Sequence, residues 1–403
     1  MVVSDFNSIH ARRPLRWAQD LGYSTLAVAR ERVHDQNGLN CPVVAHPRIR
    51  GRRMMWRLLG VKGGDRLLES IQRRRIRQIL WRWRPDVVHC HWVDEVAWAF
   101  ARAGARNLVI TAWGSDVNRF FDCAHPPAAR RQVAEALQKC VLLTGDAEDI
   151  RLKAELLAGR KLSWLLFPLG IRAEQFRRDR EAKRQQFRQR FRIPEATFLF
   201  GDFRAWRPDY RHAQILEAFA GACKACDSPL GLLIKVYYPD GAPRYHDLRS
   251  QIELRIAALQ LQDRVWWVQG LESRELPSAY AAVDAVINWP QRDAMPVTFF
   301  EAAAARRPVI TCWHPAYDVP LVRDNFLVVH EPCIDNLTQA MIRAREGVRE
   351  GNLERSLIAA ELEVEQTYSE TASVLRLSQI YGGLLNASPN VMPPPAALCG
   401  DAH

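Results

Sequence analysis

Short apolar segments alternate with helical patterns through nearly the whole chain, and this alternation restricts the fold more than any other feature. In the first half, strand-type runs such as Val87–His91 and Leu108–Ala112 flank the helical pattern Glu95–Ala103. The second half repeats the alternation, for example with strand Phe198–Asp202 and helix Ile215–Ala225. Such alternation is typical of parallel sheets that carry helices on both faces. The sequence therefore predicts an α/β fold of two doubly wound parallel-sheet, Rossmann-like domains that face a cleft.

Breaks in the pattern suggest where the domains end. Pro168 and Gly170 interrupt the first half, and a charged helical segment, Gln175–Arg192, leads to Pro194. A chain of 403 residues with 48% hydrophobic residues can form two cores of ordinary size. We predict an N-terminal domain over residues 1–170, a C-terminal domain over 195–365, a closing helix over 366–385 and a disordered tail over 386–403.

Composition excludes several classes of protein. The chain shows no apolar run of the roughly 20 residues that span a bilayer, and no cationic leader precedes an apolar segment at Met1. Its nine cysteines include one CxxC pair, Cys223 and Cys226, without a second pair, which argues against a metal or redox site. We expect reduced thiols and a cytoplasmic protein.

The segment Asp284–Trp313 carries the clearest site pattern. A strand over Ala285–Trp289 is followed by the loop Pro290–Met295, and a helix then runs from Pro296 to about Arg306 before a second strand. The N-terminus of such a helix gathers unpaired N–H groups and the positive end of the helix dipole. It is therefore a natural seat for phosphate.

Two acidic residues accompany this helix start. Asp293 lies just ahead of the helix, and Glu301 lies within it. An acid beside bound phosphate makes chemical sense if it accepts hydrogen bonds from sugar hydroxyls. The combination indicates a nucleotide-sugar site. The alternative is a surface βαβ unit with two solvated acids, because acid pairs at this spacing are common.

The same residues resemble the donor-binding motif of retaining glycosyltransferases of family 4, which have the GT-B fold. In that family two glutamates, separated by seven residues, precede a small-residue helix and a Pro-Val-Val/Ile strand. Here Asp293 and Glu301 have that spacing, and Pro308–Ile310 begins the strand. The family's Gly-Phe-Gly is replaced by Ala294–Pro296, so Pro296 offers no N–H to a phosphate.

The resemblance implies roles for this segment. Asp293 would hold the hydroxyls of the donor sugar, and Glu301 would hold the ribose. Ala294, Met295 and Val297, at the loop and the start of the helix, would complete the donor contacts. The resemblance also implies that the N-terminal domain faces the acceptor.

Basic residues follow the strand Phe198–Asp202 and resemble the family's Arg and Lys that contact the diphosphate. Arg204 fits the first position, and either Arg207 or Arg211 would replace the lysine. Arginine keeps a permanent charge and a bidentate fork, so the replacement preserves the chemistry. A solvated basic loop is the alternative. Lys235, on the next strand, is a further donor-site candidate or a member of a structural ion pair.

Two stretches of the N-terminal half also resemble the family. Val87–His91 matches a Val-Val-His-x-His strand, which implies that His91 reaches the donor sugar; capping of the next helix is the alternative, and His89 is expected in the core. Trp113–Asp116 matches a Trp/His-Gly-Ser-Asp loop, where Asp116 either bonds an acceptor hydroxyl or caps a helix. Ser8 lies in a first strand-to-helix turn and is expected on the acceptor side.

The charge of the chain is concentrated in its N-terminal half. The net charge is +11, and only seven of the 56 basic residues are lysine. Arg48–Arg57 and Arg73–Arg84 interleave cations with Trp56, Trp81 and Trp83. The pattern suits an anionic membrane surface or a nucleic acid, and a solvated helix face with inward-packed tryptophans is the alternative.

The function predicted from these patterns is transfer of a sugar from a nucleotide-diphosphate sugar to an acceptor hydroxyl, in polysaccharide or glycolipid assembly. The chain has no Asp-x-Asp, which argues against a metal-bridged diphosphate, and the resemblance implies retention without metal or cofactor. The acceptor would be a sugar, a lipid-linked sugar or a small molecule, with peripheral association at the inner membrane leaflet in the lipid-linked case. A catalytically inactive sugar-nucleotide-binding or scaffolding protein is the alternative, and we expect no nucleic-acid partner because no known nucleic-acid module is recognisable.

Overall fold

The structure of the protein is a computed structural model. It describes residues 1–6, 9–30, 33, 39–45, 52–122, 126–236 and 246–386. The chain divides into two compact units. The first contains residues 1–169 and the chain from Ser373 onward, and the second contains Gly170–Ala372.

The first unit is built on a seven-stranded sheet in which every neighbouring pair is parallel, in the order β3-β2-β1-β4-β5-β6-β7. Its strands are β1 Val2–Ser4, β2 Ala27–Ala29, β3 Val43–Ala45, β4 Val88–His91, β5 Leu108–Ala112, β6 Leu142–Gly145 and β7 Trp164–Leu166. Four of these strands, β4 to β7, were expected from their apolar runs within one residue at each end, and β3 was not expected. β1 and β2 were expected longer.

The second unit is built on a six-stranded parallel sheet, in the order β10-β9-β8-β11-β12-β13. Its strands are β8 Phe198–Asp202, β9 Leu230–Val236, β10 Val265–Gln269, β11 Ala285–Asn288, β12 Val309–Cys312 and β13 Leu327–Val329. All four residues of β11 and of β12 are buried, as continuous apolar runs in a doubly covered sheet should be. The predicted fold class is confirmed by these two parallel sheets.

Helices connect successive strands in both units. In the first unit they are α1 Ile9–Asp20, α2 Arg52–Trp83, α3 Glu95–Ala103, α4 Ser115–Asp122, α5 Pro127–Lys139, α6 Glu148–Ala158 and α16 Glu370–Asn386, of which Ser373 onward belongs to this unit. In the second unit they are α7 Ala173–Arg177, α8 Arg180–Phe191, α9 His212–Ala225, α10 His246–Ala258, α11 Leu276–Ala282, α12 Val297–Ala304, α13 Pro320–Asn325, α14 Ile334–Arg349 and α15 Glu354–Glu363.

Helix α3 shows how local chemistry sets these boundaries. Asp94 has an extended backbone and its carboxylate accepts the N–H groups of Val96 and Ala97, which caps the helix start. Gly104 ends the helix with φ of 86°, a left-handed conformation that glycine adopts without a steric penalty. The helix therefore has the bounds that the sequence predicts.

Several elements differ from the sequence-based expectations, and strand β3 and helix α13 were not predicted at all. Helix α2 begins at Arg52 rather than Leu67, because its first turns lack a clear apolar period. Helix α4 was not expected, since Ser115 and Asp116 read as loop residues. The charged segment Gln175–Arg192 forms two helices instead of one, and Asp179 between them has a left-handed φ of 50°.

A buried charge cluster attaches helix α8 to the second sheet. Asp284 accepts the backbone N–H of Leu199 at 2.7 Å, and it accepts guanidinium hydrogens from Arg188 and Arg184, both at 2.8 Å. Arg188 is fully buried, so its charge needs this carboxylate as a partner. The cluster fixes the starts of β8 and β11 relative to the connecting helix.

The packing at Gly201 in β8 generates a stability prediction. A Cβ at this position would lie 2.6 Å from the ring of Phe203, which cannot retreat because it is buried and stacks on Tyr280 with ring centroids 4.1 Å apart. We expect Gly201→Ala to lower the free energy of unfolding by about 1–3 kcal/mol. Chemical denaturation of the full chain would measure it.

Gly382 in α16 provides the matched control. A Cβ there meets nothing within 4 Å, and alanine is the better helix former. Gly382→Ala should change stability by between zero and a gain of about 1 kcal/mol. Equal stability of Gly201→Ala and the unmodified protein would contradict the close packing described for β8.

Candidate active site

Polar side chains gather where the strand order of the second sheet reverses. β8 lies between β9 and β11, so the connection after β8 turns towards one side of the sheet and the connection after β11 towards the other. Ligands of open α/β sheets bind in the crevice outside the carboxyl ends of such strands. The loop after β8 carries Arg204, and the loop after β11 carries Asp293.

An ion pair joins these two loops. Arg204 Nη2 donates to Asp293 Oδ1 at 2.9 Å, and the side chains are only 11% and 10% exposed. The guanidinium carbon of Arg204 also lies 4.1 Å from the ring centroid of Tyr210. Burial is the largest single influence and lowers the pKa of Arg204, but the Asp293 carboxylate together with Tyr210 and Tyr317 outweighs it, so the pKa is raised. The structure thus brings together two residues that the sequence placed in the donor site.

Asp293 has further partners in its own unit. Tyr317 donates its hydroxyl hydrogen to Asp293 Oδ2 at 2.8 Å, while the Tyr317 oxygen accepts from Asn288 Nδ2 at 2.9 Å. Burial and the adjacent Asp293 charge raise the pKa of Tyr317 well above its usual value, so Tyr317 stays a donor. The backbone N–H of Ala294 adds a contact of 3.1 Å to Oδ1. The carboxylate is therefore held in one orientation.

A second charged pair lies beside the first. Burial lowers the pKa of Lys235. The negative charge of Glu301 acts in the opposite direction and has a stronger effect on this pKa than the charges of Arg204 and Asp202, which also lie nearby. Glu301, on α12, likewise contributes with burial to raising the pKa of Tyr280. Lys235 is the penultimate residue of β9, so charged groups at or just beyond the carboxyl ends of β8, β9 and β11 come to one place.

His212 fixes the loop that carries Arg204. Its Nδ1 lies 2.6 Å from Asp202 Oδ2 and its Nε2 lies 3.2 Å from the carbonyl oxygen of Ala205. Both partners accept hydrogen bonds, so the imidazolium form, with two N–H groups, satisfies both. Asp202 Oδ1 accepts the N–H of Arg204 at 3.2 Å, and Trp206 stacks on the imidazole at 5.5 Å. These contacts hold the loop between Asp202 and His212 at both of its ends.

The start of α12 differs slightly from the prediction. Pro296 is the cap, with an extended backbone, and the helix begins at Val297 and ends at Ala304 rather than about Arg306. No side chain caps the helix start among the residues described, so its first N–H groups remain for solvent or ligand. Met295 is buried against the core and Val297 is half-buried.

Arg207 and Arg211 were both candidates for the position of the family's lysine. Arg207 precedes a short 3₁₀ turn, Pro208–Tyr210, and is half-buried. Arg211 follows the turn with φ of 50° and lies near Cys312, where its charge opposes the burial that raises the pKa of that thiol to about 11. Arg204, rather than either of these, is the arginine that contacts Asp293.

The histidine candidates of the first unit lie side by side in β4. His91 is 1% exposed and stacks between His89, at 4.3 Å, and Trp113, at 5.9 Å between ring centroids. His89 contacts the hydroxyl oxygens of Tyr381 at 2.9 Å and Thr111 at 2.6 Å. Burial and the neighbouring His91 lower the pKa of His89 well below its usual value. His89 lies in the core as predicted, and contact of His91 with a donor sugar stays a prediction.

Asp116 links two loops of the first unit. Its carboxylate accepts the N–H groups of Val93 at 2.8 Å and Trp113 at 3.1 Å. Burial raises the pKa of Asp116 to about 6 against the effect of these hydrogen bonds. It is the second residue of α4 and does not cap that helix from outside. Ser8, the other acceptor-side candidate, lies outside the described residues.

Comparison with solved structures shows which fold these two sheets form. HepE from Anabaena, solved with UDP, superposes with a TM-score of 0.75 at 13% identity, over 94% of this chain and 98% of that chain. A glycosyltransferase from Rickettsia africae ESF-5 gives 0.75 at 14%, over 96% and 99%. WaaG, a glycosyltransferase involved in lipopolysaccharide biosynthesis, gives 0.67 at 13%, over 95% and 100%. These likenesses show that the chain has the GT-B fold.

Family comparisons cover both units. Residues 4–141 match the family described as Glycosyl transferase 4-like, and residues 183–354 match Glycosyl transferases group 1. The chain is a GT-B glycosyltransferase. No curated protein matches its sequence. The candidate donor residues of this glycosyltransferase, from Arg204 to Glu301, all fall within the second matched region.

Sequence reasoning missed several residues of the glycosyltransferase site. Tyr317, Tyr280 and Asn288 contact or adjoin the two acids, yet each reads as an ordinary core or strand residue. Their roles depend on contacts between distant segments. One sequence signal could have pointed to the Asp202–His212 pair. Asp202 is a polar residue at the end of an apolar strand and His212 begins the next helix, and both positions lie at the switch point of the sheet.

The His212–Asp202 pair makes stability depend on pH. Burial lowers the pKa of His212, but Asp202 outweighs burial and the net shift is upward. A histidine whose pKa is higher in the folded than in the unfolded protein stabilises the fold. This stabilisation is fully present below the unfolded-state pKa of about 6.5 and is lost as the pH rises through the folded-state pKa. We expect His212→Gln to destabilise the enzyme by on the order of 2 kcal/mol near pH 6 and by less near pH 9.

Urea denaturation at both pH values would measure this difference. The control is His330→Gln, at an exposed histidine of the same unit, which should leave the pH dependence of stability unchanged. A His212→Gln variant whose deficit stays constant or grows with pH would contradict a charged His212 in the folded enzyme.

Proposed function

We propose that this glycosyltransferase takes a sugar from a nucleoside diphosphate sugar and transfers it to an acceptor hydroxyl. The observation that carries the proposal is the charged cluster at the switch point of the second sheet, where Arg204 and Lys235 lie among Asp293 and Glu301. Cations there suit a diphosphate, and carboxylates suit ribose and sugar hydroxyls. HepE, which shares the fold, has been solved with UDP and with UDP-glucose.

In this proposal fixed cations stabilise the leaving group. Negative charge develops on the diphosphate as the glycosidic bond breaks, so donors already aimed at it lower the barrier. Arg204 meets this need because its ion pair and the clamped loop hold it in place before substrate arrives. Arg207, Arg211 and the start of α12 add donors on the same side of the sheet.

Asp293 has a double role in the proposal. Its carboxylate orients Arg204, and a carboxylate oxygen accepts more than one hydrogen bond, so sugar hydroxyls can be added. Glu301 binds the ribose hydroxyls from α12. The family resemblance extends the proposal to retention of anomeric configuration without a metal ion or cofactor, and the anomeric configuration of the product by NMR tests retention.

The acceptor part of the proposal rests on the first unit. Along α2 the arginines 66, 74, 75, 77 and 82 are exposed, and Trp81 is 74% exposed while Trp83 is 39% exposed. These two tryptophans therefore do not pack inward, which favours contact with an anionic lipid surface. Trp56 lies where side chains are not described. We propose a lipid-linked acceptor and a peripheral, cytoplasmic enzyme.

No described helix is both long enough and apolar enough to cross a bilayer. Attachment through α2 would therefore be electrostatic and interfacial. Each arginine near an anionic surface contributes about 1 kcal/mol, and salt screens this attraction over a distance of about 8–10 Å. A soluble acceptor would require no such surface.

Two substitutions test the donor site. Glu301→Ala should weaken binding of a nucleotide sugar roughly 10–100-fold, because charge-assisted hydrogen bonds to the ribose are lost. Arg204→Ala should lower turnover about 10²–10³-fold through lost leaving-group stabilisation. Calorimetry with UDP-glucose and other nucleotide sugars, followed by donor hydrolysis assays, would measure both quantities.

Glu331→Ala is the matched control, because the Glu331 side chain is exposed and its hydrogen bond to Asn336 is made by the backbone carbonyl, which the substitution retains. It should bind donor as the unmodified enzyme does. Unchanged donor affinity in Glu301→Ala would remove the ribose role. Donor binding by the unmodified enzyme without any hydrolysis or transfer would favour the alternative, a sugar-nucleotide-binding protein without activity.

Co-sedimentation with vesicles tests the membrane part. The enzyme should pellet with vesicles that contain anionic lipid at low salt and stay in the supernatant at high salt. Trp81→Ser should reduce the bound fraction, whereas Leu156→Ser, at a 71% exposed leucine of α6, should not. An enzyme that stays in the supernatant at low salt would point to a soluble acceptor.

A further inference from the structure

The loop after β12 brings a histidine to the candidate donor site. Cys312 ends β12, and its Sγ donates to the carbonyl oxygen of Pro290 at 3.1 Å, which holds the end of β12 against the loop after β11. His314 lies two residues further along and is half-buried. Its ring centroid is 5.4 Å from that of Tyr317, whose hydroxyl donates to Asp293. His314 is not among the residues that the family resemblance names.

A cap interaction determines which ring nitrogen of His314 carries the hydrogen. His314 precedes the 3₁₀ turn Pro315–Tyr317, and its Nδ1 accepts the backbone N–H of Ala316 at 3.2 Å. A ring nitrogen that accepts a hydrogen bond carries no hydrogen, so the imidazole is neutral and its hydrogen lies on Nε2. Nε2 of His314 is therefore a hydrogen-bond donor.

This donor faces a second donor. Nε2 of His314 lies 3.5 Å from the backbone nitrogen of Asp293, which is the outer limit of a hydrogen bond. With the hydrogen on Nε2, each of the two nitrogens carries a hydrogen and neither accepts from the other. One oxygen atom can accept from both. The arrangement therefore calls for a shared acceptor next to the Asp293 carboxylate.

The Asp293 carboxylate decides which kind of oxygen fits. Its Oδ1 pairs with Arg204 and its Oδ2 accepts from Tyr317, so it carries a fixed negative charge beside the two donors. A phosphate oxygen at this point would be repelled by that charge. A hydroxyl has two lone pairs for the two N–H groups and one hydrogen for the carboxylate. A sugar hydroxyl therefore matches the site better than a phosphate does.

We propose that His314 Nε2–H and the backbone N–H of Asp293 together hold one hydroxyl of the donor sugar, which in turn donates to the Asp293 carboxylate. His314 is then a specificity-determining residue, because contacts with fixed directions favour one configuration of that hydroxyl over its epimer. The inference rests on the proposed sugar transfer and deepens it, since it adds a residue that selects the sugar.

Two substitutions separate the Nε2 donor from the cap. His314→Asn keeps an acceptor near the position of Nδ1, so its amide oxygen can still take the N–H of Ala316, but it has no group at the position of Nε2. His314→Gln extends an amide N–H to about the position of Nε2 and loses the cap. A role in sugar binding and a role in capping the turn therefore predict opposite orders of affinity for the two variants.

Calorimetry on the full chain compares nucleoside diphosphates with their sugar conjugates. UDP, GDP and ADP are measured alone and with glucose, galactose, mannose or N-acetylglucosamine attached, and the conjugate that gains most affinity from its sugar is used for the variants. His314→Asn should bind this conjugate about three- to tenfold more weakly and the diphosphate alone unchanged. His314→Gln should keep most of the affinity. His330→Asn, at an exposed histidine of the same unit, is the control and should change neither.

Deoxy analogues of the same conjugate identify the hydroxyl. At one position, removal of the hydroxyl should weaken binding less in His314→Asn than in the unmodified enzyme, because the variant has already lost one contact to it. At the other positions the losses should add. Additive losses at every position would contradict a contact between His314 and the sugar.

Several results would overturn the proposal. His314→Asn that binds the conjugate as tightly as the unmodified enzyme would leave only water between the two donors. Equal weakening of diphosphate and conjugate would move the contact to phosphate. Weaker binding by His314→Gln than by His314→Asn would reduce His314 to a cap, and no gain of affinity from any sugar would remove the sugar contact. Failure of UDP, GDP and ADP to bind the unmodified enzyme contradicts the proposed function instead, so the two failures are distinguishable.

Discussion

The Arg204–Asp293 ion pair is the contact on which the candidate donor site depends. The two residues are 89 positions apart and meet because their strands, β8 and β11, are neighbours at the point where strand order reverses. Parallel pairing of Phe200 with Ala285 sets the height at which both strands end. The register of the sheet thereby determines which loop residues can touch. The chemistry of the site follows from a backbone arrangement made by buried apolar side chains.

Both units place charged residues at the switch point of their sheet, but the contacts of these residues differ between the units. In the second unit, each acid meets a cation or a tyrosine, and the whole cluster is preorganised around Arg204 and Asp293. In the first unit, Asp116 instead holds two loops through the backbone N–H groups of Val93 and Trp113. Ordering side chains before a ligand binds reduces the entropy lost on binding. The differences in charge therefore decide what each switch point can recognise.

Much of the fold followed from hydrophobic period alone. Buried strands such as β8 and β12 have the bounds that their apolar runs predict, because a strand covered on both faces admits few polar residues. Helix α2 was expected 15 residues shorter at its start, since Arg52–Arg66 has no clear apolar face.

Only some residues of the candidate site could be predicted from the sequence. Asp293 stood out because it lies just ahead of a helix start and matches the family's acid spacing, and Arg204 because it follows a buried strand where the family has an arginine. Tyr317 and His212 did not stand out, because their hydrogen bonds join segments whose proximity only the tertiary structure reveals. The ion pair itself changes the expectation that Arg204 and Asp293 contact different parts of the donor independently.

The return of the chain to the first unit has a consequence for its biosynthesis. Tyr381 in α16 contacts both His89 and Tyr23, so the last described helix completes the packing of residues made long before. The second unit, by contrast, is continuous and ends at Ala372. Because domains fold as units while the ribosome extends the chain, we expect the later-synthesised unit to mature first. The earlier-synthesised unit cannot complete its packing until α16 has been made, after the whole of the second unit.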